Sequence, residues 1–186
     1  MNLYYKEYML EVYDDQMYSL NSTDNKYQYD QEFLSATFKG SRFINKCGVF
    51  IKNDEVKLKS VILFGGGSST RIGENSYVIV EDKIFIAVGS SVFCLLMPDL
   101  TLEWTVEADD SCCFGIYHFI DSIVVHGELA ITCLDLIGNI KWQFYGRDIF
   151  VTLNEGLVFS IIDDSVKVKD WEGYVYLIDR NGQMIS

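Results

Sequence analysis

Apolar and polar positions alternate with a period of two along most of this chain. The alternation is clear in "YVIV", "KIFIAV", "SIVV", "LAITCL", "NIKWQF", "LVFSII", "SVKVKD" and "YVYLID". Successive side chains of a strand point to opposite faces, so this period, carried by β-branched and aromatic residues, predicts strands. Apolar positions at 3.6-residue spacing do not persist over any window of about 11 residues, and alanine is scarce. The expected fold class is all-β.

Short, evenly spaced strands call for a search for internal repeats. Three segments align: 83–104 ("KIFIAVGSSVFCLLMPDLTLEW"), 121–142 ("DSIVVHGELAITCLDLIGNIKW") and 165–186 ("SVKVKDWEGYVYLIDRNGQMIS"). Trp104 and Trp142 are 38 residues apart, as are Gly89 and Gly127; Gly138 and Gly182 are 44 apart, as are Asp135 and Asp179. A further strand precedes each segment, at 77–80, 114–119 and 157–162, followed by an acidic turn holding Asp82, Asp121 or Asp164. Each unit therefore predicts about four short strands.

The order apolar strand, "DG" or "EG", "xVYxLD", then "xxGxxxW" resembles the repeat of quinoprotein-type (PQQ-like) β-propellers. The third unit matches through "WEGYVYLIDRNGQ" (171–183) and the second through "GELAITCLDLIGNIKW" (127–142). The first departs, with "MPDLTLEW" (97–104) in place of the turn's Asp and Gly. The likeness spans about residues 74–186 and rests on hairpin and packing positions. It implies blades of four-stranded antiparallel sheet and carries no catalytic residue with it. A lone sheet of this kind cannot bury both faces, whereas stacked sheets can. The Trp ending two of the units is expected to fill the wedge between neighbours.

Three units fall short of a ring, since propellers start at about four blades. The first residues must supply an irregular fourth sheet or a cap. They offer strands at 8–13, 41–51 and 56–64, the last two joined by the turn "KNDE", with a Tyr-rich loop over 19–32. The expected organisation is one domain over 1–186: an N-terminal irregular β region (1–72), then units at 73–108, 109–148 and 149–186. A closed four-unit ring and an open, propeller-like stack of sheets both satisfy this count.

Composition narrows the partners. Half the residues are hydrophobic (49%), enough for a real core. The net charge is −12, which repels phosphate backbones and anionic lipid, so neither nucleic acid nor a membrane is expected as a partner. The N-terminus "MNLYYKEYMLEVYDD" lacks the basic and apolar regions of a secretory signal. The five cysteines (Cys47, Cys94, Cys112, Cys113 and Cys133) are odd in number and show no CxxC spacing. That suits reduced, buried thiols and a cytoplasmic protein.

Candidate chemistry centres on "FGGGSST", residues 64–70. A phosphate-binding P-loop needs GxxxxGK[ST] between a strand and a helix. Here no Lys follows, a strand comes next, and Arg71 is the nearby cation. The stretch reads as a glycine-rich loop leading into the first repeat. The amides of Gly65, Gly66 and Gly67, with Ser68 and Ser69, keep an anion or peptide carboxylate in play. His126 and Glu128, two residues apart, would share one strand face as base and orienting carboxylate. Glu128 aligns with Ser90 and Glu172, which marks a turn position instead. His118 and His126 lack a third ligand for a metal site, and no cofactor is expected. Quinoprotein dehydrogenases, which the repeat resembles, can carry a vicinal disulfide and calcium ligands. No such ligand set is found, and Cys112–Cys113 reads as a reduced pair at a strand start. Asp14–Asp15, Asp109–Asp110 and Asp163–Asp164 lack calcium-loop spacing and read as solvated turn residues. Tyr27 and Tyr29, with Tyr4 and Tyr5, form a candidate exposed aromatic cluster.

The function expected is a non-enzymatic, cytoplasmic β-repeat protein that binds another protein. A basic partner suits its charge, and an immunity or antitoxin-type role is the sharper form. The alternative is a small-ligand-binding protein or enzyme using the 65–71 loop and the His126 turn.

Overall fold

The computed structural model describes residues 2–54, 56–151 and 158–185. Glu55 of the "KNDE" turn and Leu157, at the start of the 157–162 strand, lie outside the described residues. The chain is all-β, with 56% strand and two short 3-10 turns at Ala36–Phe38 and Glu74–Ser76. It builds four small sheets in succession, none closed into a barrel.

The first sheet holds β1 (Asn2–Tyr5), β2 (Tyr8–Asp14), β3 (Gln31–Leu34), β4 (Phe43–Asn53) and β5 (Val56–Gly67), in the order β1-β2-β4-β5-β3. Three of these strands are legible in the alternation; β1 and β3 are additional. β3 runs parallel to β5 at the tail of the expected 19–32 loop. β5 continues through Gly65, Gly66 and Gly67, so these glycines are strand residues paired with Asn45, Ile44 and Phe43 of β4, not a free loop.

The second sheet is β6 (Tyr77–Val80), β7 (Lys83–Val88), β8 (Ser91–Leu96) and β9 (Thr101–Glu107). The third is β10 (Cys113–Phe119), β11 (Ser122–Gly127), β12 (Ala130–Asp135) and β13 (Ile140–Tyr145). Both are antiparallel meanders in chain order. The fourth sheet has β14 (Phe159–Ile162), β15 (Ser165–Lys169) and β16 (Val175–Ile178). The fourth strand expected there is reduced to one bridge between Ile178 and Met184.

Repeat equivalence extends to irregularities. β9 bulges at Glu103 beside Trp104, and β13 bulges at Lys141 beside Trp142. Asp135 caps its turn by accepting from the Ile137 and Asn139 amides; Asp179 does the same from Asn181 and Gln183.

The core lies between consecutive sheets. One cluster joins the first and second sheets around Val49, Leu63, Ile86 and Phe93. Another joins the second and third around Phe85, Cys94, Ile123 and Leu134, and a further one joins the third and fourth around Val124, Ile131, Phe150 and Val166. β7, β8, β11 and β12 are buried on both faces, as inner strands of stacked sheets must be. Among the described residues no cluster joins the fourth sheet to the first. The outer face of the first sheet is covered by its own chain: Tyr18, Tyr29 and Phe38 pack on Ile62 and Phe64, and Tyr27 packs on Phe50. The expected exposed aromatic cluster is thus mostly a cap; Tyr5 is buried, and Tyr4 alone of the four is strongly exposed. Trp104 and Trp142 do pack between sheets, but each remains partly exposed at the rim.

Candidate binding face

The chain crosses from sheet to sheet at one end of the array, where the β7–β8, β11–β12 and β15–β16 turns lie. Backbone hydrogen bonds tie each crossing to the next. Ser90 N donates to Gly66 O (2.8 Å), Cys113 N to Gly89 O (2.7 Å) and Glu128 N to Cys112 O (2.9 Å). The series continues with Phe150 N to Glu128 O (2.7 Å) and Trp171 N to Ile149 O (2.8 Å). Successive sheets are therefore linked to one another through their backbones at this end.

The glycines are explained by this crowding. A Cβ on Gly65 would run into the Val88 carbonyl, one on Gly66 into the Thr37 carbonyl, and one on Gly89 into the Gly66 carbonyl. Their missing side chains are occupied by neighbouring backbone, not by room for a ligand. The amides are also engaged. Gly66 N donates to Thr37 Oγ1 (3.1 Å), Gly67 N to Ser41 Oγ (3.2 Å) and Ser68 N to Ser111 O (2.9 Å). Buried Asn45 fastens the following residues, donating to Ser68 O and accepting from Thr70 N. Ser68, Ser69 and Arg71 are exposed.

Ser68 and Glu128, from the two candidate segments, do come together through Ser111. Ser68 Oγ lies 2.9 Å from Ser111 Oγ, and Ser111 Oγ donates to Glu128 Oε2. Cys112 Sγ is 3.4 Å from the same carboxylate oxygen. Burial, then the charge of Glu128, pushes the Cys112 thiol up to about 12, so it stays protonated and poorly nucleophilic near neutral pH.

His126 does not join this group. Its Nε2 sits 3.0 Å from Phe150 O, and its ring stacks on Phe159 and meets the edge of Phe114. Facing a carbonyl, Nε2 carries the proton of a neutral ring. Burial lowers its pKa to about 4. Glu128 faces Ser111 and Cys112 while His126 faces Phe150, so the pair does not act as base and orienter. His118 is exposed on β10.

Asp109 corrects the reading of solvated acidic pairs. It is buried, and its carboxylate accepts four backbone N–H groups: Ser111 and Cys112 on Oδ1, Leu129 and Ala130 on Oδ2. It ties the approach to β10 to the β11–β12 turn. Its neighbour Asp110 is exposed. Among the described residues no group of three or more His, Cys, Asp or Glu side chains has the geometry to hold a metal.

Beyond this network the end face is open and mixed. Phe114, Leu129, Tyr145, Trp171 and Tyr174 are exposed there, Trp171 to 47%. A concavity of about 370 Å³ is lined by Asp110, Leu129, Tyr145, Gly146, Arg147, Asp148 and Ile149. The Arg147 guanidinium lies over the Tyr174 ring, 4.2 Å from its centroid. Tyr145, Arg147 and Asp148 were not singled out by sequence; the signal available was "FYGRD", an aromatic-charged turn closing β13.

The sequence matches no family model and no curated protein. Among solved structures it is similar to the computationally designed Ika8 protein, at a TM-score of 0.52 and 7% identity. The match covers 100% of this chain and 59% of that one, so the chain spans little more than half of the structure it resembles. At that identity the likeness concerns the fold alone. No helix among the described residues is long and apolar enough to cross a membrane.

Proposed function

We propose that this chain is a propeller-like β-repeat protein, of the kind its quinoprotein-type repeat pattern resembles, that works by binding another protein at the sheet-crossing face. The observation carrying this reading is the company of exposed Leu129, Tyr145, Trp171 and Tyr174 with carboxylates on that face. Aromatic residues are enriched at protein interfaces, and fold alone assigns no activity. A net charge of −12 favours a basic partner, and an immunity or antitoxin-type protein of the cytoplasm is the sharper form. The alternative of a ligand site or enzyme on the 65–71 loop and His126 has less support. Three of that loop's amides donate to protein acceptors, and the neutral His126 is packed among phenylalanines.

A photo-crosslinking residue placed at Trp171 and, separately, at Tyr4 tests the reading in native host cells. The expected result is one saturable adduct from position 171, competed by untagged chain, and none from position 4. Equal labelling from both positions, or none from 171, overturns it.

A further inference from the structure

We propose that the concavity at the end of the third sheet, walled by the β11–β12 turn and the segment leaving β13, receives an arginine side chain of the partner protein. This rests on the protein-binding reading and adds the chemistry of what is bound. Leu129 and Ile149 give the hollow apolar walls, exposed Tyr145 gives an aromatic one, and Asp110 and Asp148 stand in its lining. Among the described residues neither carboxylate takes part in an ion pair. Asp148 accepts, among the described residues, only from the adjacent Ile149 N, at 2.7 Å. Arg147, the cation of the lining, is drawn off onto Tyr174. The negative field is felt nearby: burial first, then Asp110 and Asp109, raise the Glu107 carboxyl above its ordinary range. The hollow thus combines unneutralised charge with flat apolar surface.

Guanidinium fits that combination better than ammonium. It is planar, less strongly hydrated, carries five donors in a fixed fork for carboxylates, and stacks on aromatic rings. A hollow of about 370 Å³ lies near the lower end of ligand pockets, which suits one long side chain.

The test titrates the full chain with acetyl-Gly-Arg-Gly-amide, its lysine counterpart and its citrulline counterpart, followed by amide NMR shifts at low salt. The arginine probe is expected to shift Leu129, Gly146 and Ile149, bind several-fold tighter than the lysine probe, and lose binding as citrulline. Asp110→Asn and Asp148→Asn are each expected to weaken it about tenfold, the size of one charge-assisted contact, while the distant Asp164→Asn leaves it unchanged. Equal weakening by all three variants would mean diffuse attraction and overturn the proposal. So would shifts elsewhere, or equal binding of lysine. Among the described residues exposed Asp110 makes no side-chain hydrogen bond that its variant would break, so that variant keeps the test sound if Asp148→Asn misfolds. Crosslinking from position 171 without arginine binding would sink this inference and leave the protein-binding reading standing.

Discussion

The indole of Trp142 lies on Gly182 of the next repeat, so that a Cβ there would stand 2.6 Å from Trp142 Cγ. Trp104 lies on Gly138 in the same way one unit earlier, 2.8 Å from Cδ2 to the same imagined atom. In both of these units the Trp is seated on the turn glycine of the unit that follows. Trp142 Nε1 also donates to Arg180 O (3.0 Å). The equivalent carbonyl of Leu136 is taken by Lys83, and buried Trp104 Nε1 has no hydrogen-bond partner among the described residues.

Gly182→Ala is expected to cost at least about 1 kcal/mol, since the residue sits at φ +81° and its Cβ meets the indole. Trp142→Ala should cost about 2–3 kcal/mol, below the value for a fully buried Trp because the ring is part-exposed. The double variant should lose less than the sum, because the alanine methyl enters space the ring has left. Urea unfolding measures all three; strict additivity would show that the contact is incidental.

Lys83 and Glu103 pair at the second sheet's bulge, and Asp121 and Lys141 pair at the third's. Both partners are displaced by 38 residues, with the charges exchanged. The position therefore demands opposite charges but not a fixed polarity. Glu103→Lys alone should destabilise by roughly 1 kcal/mol through repulsion from Lys83, and adding Lys83→Asp should recover most of it. A double variant no better than the single one would refute this equivalence.

Asp109 and Asp110 are adjacent and should behave oppositely. Asp109→Asn turns one acceptor into a donor facing two N–H groups and is expected to cost about 2–4 kcal/mol, a large part of a domain's roughly 5–15 kcal/mol. Asp110→Asn should stay within about 0.5 kcal/mol. Chemical denaturation of the two variants checks the contrast, and equal midpoints would contradict it.

Strand class and repeat register were legible because both are written in local periodicity and spacing: the Trp104–Trp142 and Asp135–Asp179 offsets fall on equivalent structural positions. Asp109 was not, because the four amides that bury it come partly from Leu129 and Ala130, some 20 residues away. β3 escaped notice because "QEFL" is too short to alternate and its parallel partner β5 is remote in sequence. Gly65–Gly67 misled for a physical reason. Glycine marks both a turn and a strand pressed against another backbone, and only the neighbouring Val88 and Thr37 carbonyls distinguish the two.

His126 should make stability depend on pH. Its folded pKa of about 4 lies below the 6.5 of an exposed histidine, so the unfolded chain binds the extra proton first as pH falls. The stability this neutral ring supports is complete above pH 6.5 and is lost between about 6.5 and 4. From pH 7 to 4.5 this residue's contribution should fall by about 2–3 kcal/mol, while the larger part of the loss from carboxylates of ion pairs such as Glu11–Lys52, whose folded value is lowered from 4.5, comes at lower pH. His126→Phe keeps the stacking on Phe159 but leaves Phe150 O without its donor, costing about 1 kcal/mol at neutral pH. The variant should therefore be less stable than the parent at pH 7 and more stable at pH 4.5, with the curves crossing between. Urea midpoints at several pH values measure this, and parallel curves would show that His126 is charged or solvated in the fold.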